Sequence, residues 1–236
     1  TIQPDGMDLD ALEKLVVELD GQCKLVYTIP KHQNPTGVTM SQAKRERLVQ
    51  MARKYRFHVI ADKAYQLLNF REEGRAVLPL CYEDDPRDPR ILSVGTFSKL
   101  IGPGLKVGWI QAPPSLLDPM TRLGFVESSN NPVTFSSTGL LHLLDSGALQ
   151  EHIAFVSGEL ARKCALLCKK LRALGYEVTE PTGGYFVWVR KQNEKMTGRD
   201  GTGMALDPPD QFADFMRLCF AWLDDEQIVS GVRVLR

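Results

Sequence analysis

The chain has 236 residues, 43% apolar and 25% charged, and its 29 basic and 29 acidic side chains sum to zero net charge. That is enough chain for one large folded domain or one and a half, and the balanced charge argues against a nucleic-acid or membrane-surface role. No apolar run reaches the length of a membrane span, and five scattered cysteines with no CxxC pair read as reduced core thiols of a cytoplasmic protein, not as a metal site.

The chain opens on Thr1, with no charged-then-apolar leader, and is expected to be the carboxyl-terminal portion of a longer protein. Residues 8 to 20 carry apolar side chains at helical spacing with acids early in the run, and Leu25 to Ile29 reads as a strand ending at Pro30. Ser41 is suited to cap a helix over residues 41–56, with an apolar stripe of Ala43, Leu48, Met51, Ala52 and Tyr55 and its basic residues facing outward. Further strands are predicted at Phe57 to Ala61, Ile91 to Val94 and Val107 to Ile110, and Pro113-Pro114 breaks the chain before helical segments. A long helix is predicted from Ala148 to Leu174 and closed by Gly175, followed by β-type residues around Gly183-Gly184. Residues 191–211, polar and rich in Gly, Pro and Asp, read as a flexible loop. Alternating strands and helices imply an α/β fold, with a mostly parallel sheet flanked by helices in residues 1–147 and a smaller α+β domain in 148–236.

Three segments at the ends of predicted strands carry chemistry. Asn34-Pro35-Thr36-Gly37 is a turn sequence in its own right, and the Asn34 amide is suited to donate to a phenolate-like oxygen. Asp62, at the end of the next strand, reads either as a helix cap or as the anionic partner of a pyridinium nitrogen, with Tyr65 one turn further on. Lys99, in Thr96-Phe97-Ser98-Lys99, reads either as a surface lysine on a Gly/Pro-rich loop or as the lysine that holds an aldehyde cofactor as a Schiff base at the carboxyl edge of a sheet.

These motifs, together with Pro103-Gly104-Leu105-Lys106-x-Gly108-Trp109, Gly183-Gly184-Tyr185-Phe186-Val187-Trp188 and Arg217-Leu218-Cys219-Phe220-Ala221, resemble the class I/II aminotransferases of the fold-type I pyridoxal-phosphate enzymes. The resemblance covers nearly the whole chain and is closest to the branch with aminoadipate and kynurenine aminotransferases. It implies pyridoxal 5'-phosphate held covalently on Lys99, which would also shuttle the proton. It pairs Asp62 with the pyridine nitrogen, sets Asn34 and Tyr65 on the ring oxygen, and gives Thr96, Ser98 and Lys106 to the phosphate. Arg217 would clamp the substrate α-carboxylate through a bidentate pair, and Asn34 would also face the substrate. Amino-acid and 2-oxo-acid substrates and a homodimer with shared sites are implied, with Asn130-Asn131-Pro132 read as a turn or as part of that shared edge.

Three departures from the family pattern bear on these expectations. The phosphate-gripping small-residue loop and the ring-stacking aromatic of the family's amino-terminal portion have no counterpart in this sequence. The segment between Trp188 and Arg217 is low in hydrophobicity where the family has a helix and a return strand. Lys106 stands where the family usually has Arg, keeping the charge and losing the fork. A non-catalytic remnant, a cofactor-sensing regulator half and another chemistry of the same cofactor, such as elimination, are the alternatives to transamination.

Overall fold

Short runs of β-branched and aromatic residues, separated by amphipathic helices, set the architecture. The structure, a computed structural model, describes residues 2–71, 80, 84–129, 133–190 and 212–235. The predicted loop over 191–211 and Asn130-Asn131-Pro132 lie outside them. A two-stranded hairpin, β1 (Ile2–Gln3) and β2 (Gly6–Met7), leads into α1 (Leu9–Glu18), whose first turn is capped by the Asp8 carboxylate. Then follow β3 (Leu25–Thr28), α2 (Gln42–Tyr55), β4 (His58–Asp62), β5 (Ile91–Thr96) and β6 (Gly108–Gln111).

Strands β3 to β6 form one sheet in sequence order, parallel through β5, with β6 antiparallel along the edge. Thr28, Asp62 and Thr96 therefore end their strands at one edge, where open α/β sheets gather ligand-binding groups. Gly95 faces Trp109 across the β5–β6 pair, and a Cβ on Gly95 would run into the indole. The indole packs on Phe97 instead, ring centroids 4.8 Å apart, and fixes the turn that leads to Lys99.

Helix α2 begins at the predicted cap, with Ser41 accepting from the Lys44 amide. Leu48, Met51 and Ala52 of the expected stripe are buried and Tyr55 packs partly buried beside them, but the stripe shifts at its start. Arg45, Leu48, Val49 and Ala52 are buried at positions i, i+3, i+4 and i+7, whereas Ala43 is exposed. The expectation that every basic residue faces outward thus fails at Arg45. Its Nε donates to the Met40 carbonyl at 2.9 Å and its Nη2 to the Pro30 carbonyl at 2.6 Å, so a buried guanidinium is satisfied by main-chain acceptors that helical spacing alone does not reveal.

Beyond the sheet lie α3 (Pro114–Thr121), α4 (Gly124–Ser129), α5 (Thr134–Asp145) and the long α6 (Ala148–Ala173). Antiparallel strands β7 (Phe186–Arg190) and β8 (Phe215–Cys219) and helix α7 (Asp225–Arg233), closed by an Asp224–Gln227 capping box, complete the chain. One apolar cluster lies between α1, α2 and the sheet. A second joins α6, α7, β7 and β8 to Tyr65, Leu68 and Leu100 from the turns after β4 and β5. Cys164 and Cys168 are buried, free thiols in that second cluster. Among the described residues, no helix is long and apolar enough to cross a membrane.

Glu13 fastens α1 to α2, accepting from Tyr55 Oη at 2.7 Å and from Lys54 Nζ and Arg47 Nη2 at 3.0 Å each. These donors, Tyr55 foremost, hold its carboxyl down at about 2, against an ordinary 4.5. Because the folded value lies below the unfolded one, the stabilisation is complete above the ordinary value and is lost as pH falls toward about 2. The stability gap between wild type and Glu13→Gln, followed by urea unfolding, should close over that window. A gap constant from about pH 5 to about pH 2 contradicts the assignment.

Candidate active site

Each strand end delivers one polar group to the same edge, and the partners of these groups are specific. Asp62, half-buried at the end of β4, accepts from Tyr27 Oη at 2.7 Å on Oδ2 and from the Ala64 amide at 2.9 Å on Oδ1. The second bond is a short Asx turn that aims the carboxylate. Partial desolvation, and then the Asp62 carboxylate, push the Tyr27 phenol up from its ordinary value, so it remains a donor.

Tyr65 lies three residues further on and is buried. Its ring meets those of Tyr185 and Phe186 edge-on, with centroids 5.5 and 5.8 Å away, and burial pushes its phenol up to about 12. Arg217 on β8 sits opposite Trp188 on β7. Its guanidinium lies 4.5 Å over the Phe186 ring, and Nη1 donates to Asn34 Oδ1 at 2.7 Å. An arginine only donates, so this bond turns the Asn34 oxygen toward β8 and leaves its NH2 group to donate elsewhere.

Lys99 is half-buried in the turn after β5. Its Nζ is 6.0 Å from the centroid of the Tyr185 ring, and Tyr185 Oη donates to the Lys99 carbonyl at 2.7 Å. Thr96 Oγ1 donates to Ser98 Oγ at 3.0 Å and accepts from the Ser98 amide at 3.1 Å, so the two hydroxyls lie side by side. Lys106 is exposed just after the 3-10 turn Pro103–Leu105, in the left-handed region at φ 55°.

Through Tyr185 and Phe186 the fold thus brings Asn34, Tyr65, Lys99 and Arg217 together. Thr96 and Ser98 form a separate hydroxyl pair one turn away, and the exposed Lys106 directly precedes Val107, whose carbonyl accepts from Thr96 Oγ1 at 3.3 Å. Two participants escaped the sequence reading. Tyr27 reads in the sequence as an ordinary strand residue, yet β3 buries Val26 and Thr28 and so turns Tyr27 outward beside the end of β4. Tyr185 was legible only as part of a motif, since its hydroxyl partner is a main-chain carbonyl.

His32 holds the Asn34 loop from behind. It is buried, with Nε2 3.0 Å from Asn69 Oδ1 and Nδ1 3.3 Å from Thr39 Oγ1, and burial keeps its imidazole down at about 4 and therefore neutral at about pH 7.

The family model for "Aminotransferase class I and II" matches residues 3–235. Aromatic-amino-acid aminotransferase 1 of Thermococcus litoralis is 31% identical, over 99% of this chain and 59% of its own length. The 2-aminoadipate transaminase of Thermus thermophilus is also 31% identical, over 98% of this chain and 60% of its own. The crystal structure of the multiple substrate aminotransferase from Thermococcus profundus superposes with a TM-score of 0.81 at 30% identity, covering 99% of this chain and 61% of that one. The chain spans about 60% of the length of these relatives.

Gly183 is where the β7 side of the site presses on the His32 loop. A Cβ there would collide with the Leu68 carbonyl and with His32 Nε2. Gly183→Ala should cost about 2–3 kcal/mol in urea unfolding. His32→Ala in the same background should recover part of that loss, because it removes one of the two obstacles. A loss below about 0.5 kcal/mol contradicts the close approach.

Proposed function

The chain belongs to the class I and II aminotransferase family, and on that premise we propose that the protein exchanges an amino group between an α-amino acid and a 2-oxo acid, with pyridoxal 5'-phosphate held on Lys99. The observation that carries the proposal is the convergence of Asn34, Tyr65, Lys99 and Arg217 on the Tyr185–Phe186 pair, with Asp62 ending the neighbouring strand. When bound, the cofactor supplies an electron sink for the bond broken at the substrate Cα.

The donor set fits that group. Asp62 offers a carboxylate, aimed by Ala64 and Tyr27, for a protonated ring nitrogen. The free NH2 of Asn34 and the phenol of Tyr65 are donors for a ring oxygen. Thr96, Ser98 and Lys106 provide two hydroxyls and a cation for a phosphate. The Lys99 amine, its main chain held by Tyr185, carries the proton to and from the substrate Cα. Arg217 receives the α-carboxylate while Phe186 supports the flat face of its guanidinium.

The same reading divides the chain into a partial cofactor-binding domain, 1–147, and a smaller domain, 148–236, and extends to a cytoplasmic homodimer with shared sites. Four free cysteines among the described residues suit a reducing compartment. Exposed Phe125, Phe135 and Leu141 on α4 and α5 supply apolar surface of the kind that subunits bury.

Incubation with pyridoxal phosphate followed by borohydride reduction should leave one cofactor-sized mass increase on the peptide containing Lys99. Lys99→Ala should abolish it, and Asp62→Asn should weaken cofactor retention. Labelling that persists in Lys99→Ala, or that falls on another lysine, contradicts the proposal.

A further inference from the structure

Two buried polar atoms without partners, Gln66 Oε1 and Ser157 Oγ, and the buried side chain of Lys31 line one largely apolar cavity between the Asn34 loop and α6. The cavity has a volume of about 510 Å³ and is bounded by Lys31, Gln66 and Ser157 together with Leu67, Leu149 and Ile153. That size lies within the range of small-molecule pockets, about 300–1,000 Å³. None of the residues assigned above to the cofactor or the α-carboxylate lines it.

Lys31 is 3% exposed, and among the described residues its ammonium has no hydrogen-bond or ion-pair partner. Gln66 Oε1 and Ser157 Oγ are buried and equally unpartnered. Such groups are costly to bury without a complement. Burial, and then repulsion from the Arg45 guanidinium, pull the Lys31 ammonium down to about 8, as happens to a cation with no counter-ion.

The complement can be read from the wall. A cation asks for an anion, an amide oxygen asks for a donor, a hydroxyl accepts either, and leucine and isoleucine side chains ask for an apolar group. We propose that this cavity is a binding site for a free α-amino acid with an apolar side chain, its carboxylate on Lys31 and Ser157, its ammonium on Gln66 Oε1 and its side chain against Leu67, Leu149 and Ile153. The site is independent of the Lys99 assignment, because it shares no residue with it. It nevertheless adjoins it in the chain. Lys31 precedes Asn34 by three residues, Gln66 follows Asp62 by four, and Asn69 at the cavity wall holds His32. Occupancy would therefore bear on the two loops that carry Asn34 and Asp62.

The test is a calorimetric titration with L-leucine of the chain carrying Lys99→Ala, so that no turnover consumes the probe. Saturable binding is expected, weakened at least about tenfold by Lys31→Met and by a smaller factor by Ser157→Ala. Lys31→Met removes a buried ammonium and should not lower the melting temperature, so lost binding would not reflect lost folding. The analogue 4-methylpentanoate, which lacks the amino group, should bind more weakly than L-leucine, and Arg217→Ala should leave the binding intact. Absence of saturable binding, binding unchanged by both Lys31→Met and Ser157→Ala, equal affinity for 4-methylpentanoate, or loss of binding in Arg217→Ala would each overturn the proposal.

Discussion

The Arg217 guanidinium, donating to Asn34 Oδ1 across 183 residues of chain, ties β8 to the loop after β3 at the candidate site. The apolar seam beside it contributes more free energy. Each large side chain buried there, Tyr65, Leu68 and Phe186 among them, is worth roughly 1.5–3 kcal/mol, whereas one hydrogen bond to a charged group is worth about 1.5–3 kcal/mol in total. Apolar packing is insensitive to direction, however, and cannot by itself decide which way an amide points. The arginine does, because it accepts nothing.

The Asn34 loop is accordingly held on several sides by groups of different chemistry. Arg45 grips the carbonyls of Pro30 and Met40 from inside the large sheet's core. His32, neutral in its pocket, ties the loop to Asn69 and Thr39 and presses against Gly183 and Gly184. On the far side, Tyr185 reaches from the start of β7 to the Lys99 carbonyl, so one hairpin positions the asparagine through Arg217 and the lysine through Tyr185. Reactive groups on loops gain precision from such support, since the loop has no ladder of its own.

Much of this was legible in the sequence, for identifiable reasons. Strands β3, β4 and β5 are short apolar runs bounded by turn residues, and the groups at their ends occur in motifs of fixed spacing, so Asn34, Asp62 and Lys99 are legible in the sequence itself. Arg217 was identifiable as a motif residue but had no predicted position, because its place depends on the β7–β8 register and on a partner 183 residues away. The burial of Arg45 is hidden from the sequence for a related reason. A charged residue on an amphipathic helix is normally solvated, and only the convergence of two loop carbonyls makes its burial tolerable. The antiparallel course of β6 and the hydroxyl partners of Tyr27 and Tyr185 are likewise tertiary facts with no local signal.

The contact between β8 and the Asn34 loop can be measured by a double-mutant cycle of Asn34→Ala and Arg217→Met in urea unfolding. If the guanidinium–amide bond sets the loop against β8, the two losses should fall short of additivity by about 1–2 kcal/mol. Additivity within about 0.3 kcal/mol would mean that the two side chains do not hold each other, and that the loop is positioned by packing alone.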